Sequence, residues 1–555
     1  MSPQFFVPFA LLALVQAATA QQPPSAGGQM QQIPPTPVAP RAAPQISIQP
    51  QAAPATEASD AVKITVRALR VAGAQVYSEP ELVEIAGFRA GSELSLADLR
   101  AMAERITAHY RAHGYFVALA YLPAQEVKDS LVTIAVSEGQ YRNVTINNSS
   151  NLSDRVVRNG LDGINSGDAI VLAPLENRLL LLSDLPGVNV KSTLVPGAAV
   201  GTSDLVVDVT PGQRVTGSVE VDNAGNPYTG EWRVGATVNV NNPLGLGDVA
   251  SLRLLTSGAG LKYARASYQL QVGRGQVGIA YSKLDYRLGK EFDSLNAHGT
   301  TEIASVFGRY PLIRSRDNNL YLQLAYDAKK FRDRIDSVPS VTDKKARVLM
   351  ASLYGDHNDN LGGGGQTSYG LTLSSGTIDI RTPEAFAADA ASARSNGHFN
   401  KLSFNGARSQ ALGGPFSLFA GINGQVASKN LDVSEKMELG GMNAVRAYPE
   451  GEAYADEGYV LTIEGRMALP RYSDRLPGRM QLVAFADAGS VRINKDPWTA
   501  GDNRRTLSGA GVGLLWSDPG NFMVRTYYAR KLGSEKATSS PDKSGRFWIQ
   551  AIKYF

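Results

Sequence analysis

The 555-residue chain has no cysteine, which excludes disulfide scaffolds, cysteine-ligated zinc, iron–sulfur centres and thiol nucleophiles. It has no marked charge of either sign: 55 Lys and Arg stand against 51 Asp and Glu, a net +4, and no basic run argues for nucleic acid. No segment approaches the ~20 consecutive apolar residues of a membrane-spanning helix, so any passage through a membrane must use a closed β-barrel. What the chain does have is 55 glycines and 22 tyrosines, which point to many turns and aromatic-rich strands. Its length allows two or three domains with cores of their own.

Residues 5–15 are apolar and precede Ala18-Thr19-Ala20, the small-x-small pattern of a secretory signal, so residues 1–20 read as a signal peptide. Residues 21–60 are rich in Pro, Gln and Ala and read as an exposed, semi-extended linker. From Val62 a small α+β unit begins. A strand spans 62–72, Ser95 caps a helix carrying Leu99, Met102, Ile106 and Tyr110 at helical spacing, Gly114 ends that helix, and strands follow at 116–122 and 131–136. A second unit of similar length holds a strand at 144–147, helices at 153–160 and 175–182, and strands at 188–194 and 205–209. The expected divisions are 61–139, 140–211 and 212–555.

From residue 212 onward period-2 alternation takes over. Trp232, Val234, Ala236 and Val238 alternate with Arg233, Gly235, Thr237 and Asn239, and the same texture recurs through sixteen segments between 214 and 555. In a soluble sandwich the apolar face turns inward; in an outer-membrane barrel it turns outward to lipid. Alternation by itself does not choose. The even count, polar inward-phase residues such as Glu464 and Arg525, and an aromatic last strand ending at Phe555 favour an all-β, 16-stranded antiparallel transmembrane barrel behind two α+β units.

Three linked motifs make the reading specific. Residues 106–116, with Tyr110, Gly114, Tyr115 and Phe116, followed by Tyr121-Leu122-Pro123 and Val136-Ser137-Glu138-Gly139, resemble the first polypeptide-transport-associated (POTRA) domain of two-partner secretion transporters. Residues 440–452, including Val445-Arg446-Ala447-Tyr448, resemble that family's sixth extracellular loop, with Ala447 where Gly is usual. Phe485-Ala486-Asp487 resembles its Phe-x-Asp motif on the inner barrel wall. The resemblance implies an outer-membrane translocator with periplasmic POTRA domains. Such a protein exports a large secreted partner of haemolysin or haemagglutinin type, unfolded and without nucleotide hydrolysis. It also implies that Tyr110, Gly114, Tyr115, Phe116 and Pro123 belong to the region receiving the exoprotein. Phe555 would be the C-terminal assembly signal read by the barrel-assembly machinery, and outer-membrane lipid would surround the barrel. The alternative is a barrel-assembly insertase of the same superfamily. No amphipathic pattern before Val62 marks the N-terminal plug helix that some members carry.

Other candidate chemistry is weak. His109 and His113 have the i, i+4 spacing of a metal pair but lack an intervening Glu and a third ligand, so they read as helix-surface residues. Residues 362–365, four glycines, have neither a following helix nor a Lys and read as a turn rather than a phosphate cradle. No nucleophile motif or cofactor fingerprint suggests an enzyme. Asp487 and Phe485 share the inward phase of their strand, and an inward carboxylate in a partly desolvated lumen needs a cation. With the resemblance, that cation is Arg446, whose forked guanidinium suits a carboxylate.

Overall fold

A computed structural model describes residues 23–38, 45–48, 62–198, 201–471 and 476–555; the expected signal peptide lies outside them. The segment read as an exposed linker is partly ordered and buried. It forms a short helix, α1 (Ala26–Gln31), whose residues Ala26 to Gln29 are buried, and a strand, β1 (Gln45–Ile48). A short N-terminal helix that the sequence pattern does not mark is therefore present. Two glycines and a length of six residues give it little intrinsic helicity. Its order comes from its surroundings: Ala26 N–H donates to Asp333 Oδ1 (2.7 Å), and Thr301 Oγ1 donates to the Ala26 carbonyl (3.0 Å).

The first α+β unit contains β2 (Lys63–Val66), β3 (Ala68–Ala72), α2 (Glu79–Ala86), β4 (Ser92–Ser95), α3 (Leu96–Ala112), β5 (Leu119–Tyr121) and β6 (Leu131–Ser137). The single strand expected at 62–72 breaks at Arg67, whose N–H turns to the Ser130 carbonyl (2.9 Å). As a result β2 pairs with β4 and β3 with β6. Ser95 and Asp98 form a reciprocal capping box at the start of α3. Leu99, Met102, Ile106 and Tyr110 face the core, and Gly114 ends the turn at φ +90°.

The second unit contains β7 (Gln140–Asn148), α4 (Asp154–Gly160), α5 (Leu172–Ser183), β8 (Val188–Pro196) and β9 (Thr202–Pro211) around a separate core that includes Val157, Leu175, Leu179 and Val207. Its sheet order is β1-β8-β9-β7, so the linker strand β1 covers the β8 edge in parallel. Leu172 N–H donates to the Gly114 carbonyl (2.9 Å), and Phe116 packs against this second core, which shortens the strand expected at 116–122.

Sixteen antiparallel strands then close a barrel: β10 (Val215–Asp222), β11 (Arg233–Asn241), β12 (Val249–Thr256), β13 (Leu261–Val272), β14 (Gly275–Arg287), β15 (Ala297–Arg314), β16 (Asn318–Ile335), β17 (Ser340–Asp359), β18 (Gly365–Ile380), β19 (Gly397–Gly413), β20 (Phe416–Ala427), β21 (Glu457–Ala468), β22 (Arg479–Arg492), β23 (Arg504–Asp518), β24 (Phe522–Lys531) and β25 (Gly545–Tyr554). The seam pairs Ser218–Asp222 of β10 with Gln550–Tyr554 of β25. The ambiguity between sandwich and barrel is resolved by exposure. Val234, Val238, Leu254, Ile279 and Leu482 of the apolar face are exposed, whereas Arg233, Thr237, Glu464 and Asp487 are buried inside. An outward apolar belt around a polar interior is the inverse of a soluble protein and fits lipid. Contacts with the second α+β unit mark the periplasmic end. There Arg314 forks onto Asp184 (2.7 and 2.9 Å), Arg316 pairs with Glu176 (2.6 Å), and Ser153 N–H meets the Gly245 carbonyl (2.9 Å). At the same end the amine of Lys553 reaches Asn521, which lets a lysine occupy the last strand.

Candidate functional site

The connection between β20 and β21, residues 428–456, folds back into the lumen instead of projecting outward. Its tip is a tight turn held by its own backbone: Val445 N–H donates to the Leu439 carbonyl (3.0 Å), Tyr448 N–H to the Val445 carbonyl (3.0 Å), and Gly440 N–H to the Glu452 carbonyl (3.2 Å). Val445, Ala447 and Tyr448 are fully buried among wall residues that include Phe485, Leu507, Tyr527 and Trp548. The Tyr448 hydroxyl donates to the Glu535 carbonyl (3.0 Å).

Arg446 lies at the centre. Its Nε and Nη2 donate to Asp487 Oδ2 and Oδ1, both at 2.8 Å, and its backbone N–H adds a third bond to Oδ2 (3.1 Å). Its Nη1 donates to Glu464 Oε1 (2.7 Å), so one guanidinium ties two adjacent strands to the loop. The charge plane stacks 3.5 Å from the Phe485 ring centroid and 4.7 Å from that of Tyr527, while the indole N–H of Trp548 donates to the Arg446 carbonyl (2.7 Å). Asp487 also accepts from Thr462 Oγ1 (3.0 Å), and Glu464 Oε2 accepts from Arg466 (2.7 and 2.9 Å). Two carboxylates meet two guanidiniums, which neutralises the buried charge and gives each guanidinium nitrogen of Arg446 a partner. Both members of the Arg446–Asp487 pair are shielded, with side chains 4% and 0% exposed.

The wall is shaped for the loop. A Cβ on Gly509 of β23 would lie 2.5 Å from the Ala447 Cβ, so the bare glycine opposite provides the room that the Ala in place of Gly takes up. Farther along the loop, Glu452 accepts from Arg505, Thr538 and Ser539, while Asp432 and Glu435 pair with Lys344 and with Lys329 and Lys401 of the wall. The 3-10 turn Val433–Glu435 packs against α1, where a Cβ on Gly27 would lie 2.8 Å from the Ser434 Cβ.

The structure therefore brings together Arg446, Asp487, Phe485, Val445 and Tyr448, all named from the sequence. Glu464 was legible as an inward residue but not as a ligand of Arg446. Thr462, Tyr527 and Trp548 were missed, since strand phase shows which way a side chain points and not which loop atom meets it.

The residues expected to receive the exoprotein are placed differently from one another. Tyr110 is wholly buried and its hydroxyl donates to Glu138 Oε1 (2.7 Å), which makes it a core residue of the first unit. Gly114 and Phe116 lie at the joint between the two units, Tyr115 packs edge-on to Tyr110, and Pro123 is partly exposed. His109 and His113 stack beside Tyr77, with ring centroids 4.3 Å apart; among the described residues no group of three or more potential metal ligands forms. Phe555 pairs with Gly217 through both backbone bonds (2.8 and 3.1 Å) and is half exposed.

Two sequence-family profiles match. Residues 201–515 match the haemolysin secretion/activation protein family ShlB/FhaC/HecB, and residues 64–139 match the ShlB-type POTRA domain. The heme/hemopexin transporter protein HuxB of Haemophilus influenzae is 31% identical over 482 residues, 86% of this chain and 84% of that relative. The outer membrane transporter CdiB of Dickeya dadantii is 24% identical, over 76% and 74% of the two chains. The solved structure of CdiB from Escherichia coli superposes with a TM-score of 0.69 over 91% of this chain and 93% of that one; at 22% identity this is a likeness of fold.

Proposed function

Because the chain belongs to the haemolysin secretion/activation family ShlB/FhaC/HecB, and is thereby an outer-membrane transporter of a secreted partner protein, we propose that Arg446 is the latch of its gate. At rest, loop 428–456 and α1 fill the lumen; release of Arg446 from Asp487 and Glu464 lets both move and opens a path for an unfolded partner. The observation that carries this reading is the four-bond clamp of Arg446 on β21 and β22, made by a loop that reaches down from the far end of those strands.

The signal at residues 1–20 delivers the chain across the inner membrane, residues 61–139 and 140–211 receive the partner in the periplasm, and the barrel from 212 threads it outward. The two separate cores of the α+β units and the closure of the barrel from Val215 support this division. Movement requires no nucleotide, since folding of the partner outside the cell makes it irreversible. The barrel-assembly machinery inserts the barrel, with Phe555 as its signal, and lipid covers the apolar belt.

The test is a pair of single variants and their combination. Breaking a buried ion pair costs ~3–5 kcal/mol because the remaining charge is left uncompensated. Arg446→Ala and Asp487→Ala should therefore each reduce secretion of the partner while the barrel stays inserted, and the double variant should be little worse than either single. Multiplicative losses with both single variants correctly inserted would show that the residues act independently and would remove the latch.

A further inference from the structure

The segment that follows α1 is held to the barrel wall by its main chain. Arg233 of β11 donates Nε to Asp222 Oδ1 (2.9 Å) and Nη1 to the Gln32 carbonyl (2.8 Å). Arg253 of β12 donates Nη2 to Glu220 Oε1 (2.7 Å) and Nη1 to the Pro34 carbonyl (2.7 Å), with Thr36 Oγ1 at 3.3 Å. Both arginines and both carboxylates are at least nine-tenths buried. Arg253 Nε, Glu220 Oε2 and Asp222 Oδ2 have no hydrogen-bond partner among the described residues, so this wall holds more polar capacity than its present occupant uses.

The chemistry of these groups defines what they bind. Each guanidinium is neutralised by a carboxylate on β10, so the wall offers directed N–H donors without net positive charge and gives no advantage to a phosphate or an acidic headgroup. The acceptors are the carbonyls of residues i and i+2 in a segment containing Pro34-Pro35. Both lack a main-chain partner, for different reasons: Gln32 is the C-cap of α1 (φ −77°, ψ −3°), where helix-end carbonyls are left over, and Pro34 lies in a proline-bearing stretch that forms no helix or strand. No side chain of Ile33 or Pro35 is needed for the grip.

We propose that Arg233 and Arg253 form a seat for unpaired main-chain carbonyls on the β10–β12 wall. Residues 32–36 occupy it at rest, and an unfolded stretch of the exported partner, whose carbonyls are likewise unpaired, occupies it once they leave. The proposal rests on the transporter reading and adds to it a place in the lumen and a sequence-tolerant mode of grip.

In this scheme a planar bilayer carries current through the full chain once α1 and the segment behind it leave the lumen, and an added peptide then meets a vacant seat. The probe is a synthetic peptide with the sequence of residues 29–38, added on the periplasmic face. It should block the current in a dose-dependent way. Arg253→Lys, which keeps the charge but loses the fork, should raise the half-blocking concentration about tenfold. A peptide with the same prolines and shuffled other residues should block the unaltered chain within about threefold of the first, and this comparison needs no variant to fold. Failure of both peptides to block, strong dependence on side-chain order, or unchanged block by a correctly inserted Arg253→Lys chain would each overturn the seat. Secretion of the partner is read separately in cells. If secretion by the unaltered chain persists while the seat fails, the transporter reading survives; if the unaltered chain secretes nothing, the reading itself fails.

Discussion

Arg446 is the point at which one loop is bound to two strands, which is what the proposed latch requires of a single residue. Lysine could satisfy one carboxylate but has neither the planar fork for Asp487 nor the face that stacks on Phe485. Arg446→Lys should therefore behave nearly as Arg446→Ala in secretion assays, and full secretion by Arg446→Lys would show that charge alone suffices. The packing beside it makes an independent prediction. Gly509→Ala places a methyl group 2.5 Å from the Ala447 Cβ, and overpacking of this kind costs ~1–3 kcal/mol. The loop should loosen and admit a large antibiotic that the intact barrel excludes, and adding Ala447→Gly should restore exclusion. Lack of rescue would place the damage elsewhere. The pairing of Arg446 with Asp487 was legible because an inward carboxylate and a motif-bearing arginine lie in one chain. The role of Trp548 was not, because its bond is to a backbone carbonyl that sequence does not position.

Among the elements, α3 and α1 are opposites. The first is written in the sequence by its cap, its apolar spacing and its terminal glycine; the second is written nowhere, because two glycines spoil its propensity and exist to let it approach loop 428–456 closely. Gly27→Leu should thus expel α1, since a Cβ there would lie 2.8 Å from the Ser434 Cβ; the expected result is more frequent opening in a bilayer, and unchanged gating would deny α1 a plugging role. Strand β1 was hidden for a related reason: its order comes from pairing with β8, a partner more than a hundred residues away. For α3, the bonds from the Ser95 backbone and hydroxyl hold the Asp98 carboxyl below its usual range. A lowered native pKa contributes stability that is present above the unfolded value, near pH 4, and is lost as pH falls through the native one. Amide protection of α3 should decline in that acid range, and Asp98→Asn should remove this part of the pH dependence. An identical acid limb in the variant would assign it to other groups.

At the scale of the whole molecule, alternation gave sixteen segments close to the observed strands, yet could not say which face meets solvent; the exposed belt of Val234, Leu254, Ile279 and Leu482 settles that by its direction. The three strands β15, β16 and β17, at 18, 18 and 20 residues, outrun the expected ~9–11 because their charged upper ends extend beyond the apolar belt, where pairs such as Arg332–Asp343 sit half exposed. A closed barrel of this kind should migrate differently on a gel before and after boiling, and the absence of any shift would contradict closure. The central claim, export of a secreted partner through a latched barrel, is tested most directly by comparing proteins in the culture medium of cells with the chain deleted and cells with it restored. The expected result is one large protein that vanishes from the medium and returns, with the other outer-membrane barrels unchanged in amount. An unaltered medium, or a general loss of outer-membrane barrels, would contradict it, the latter by pointing to an insertase.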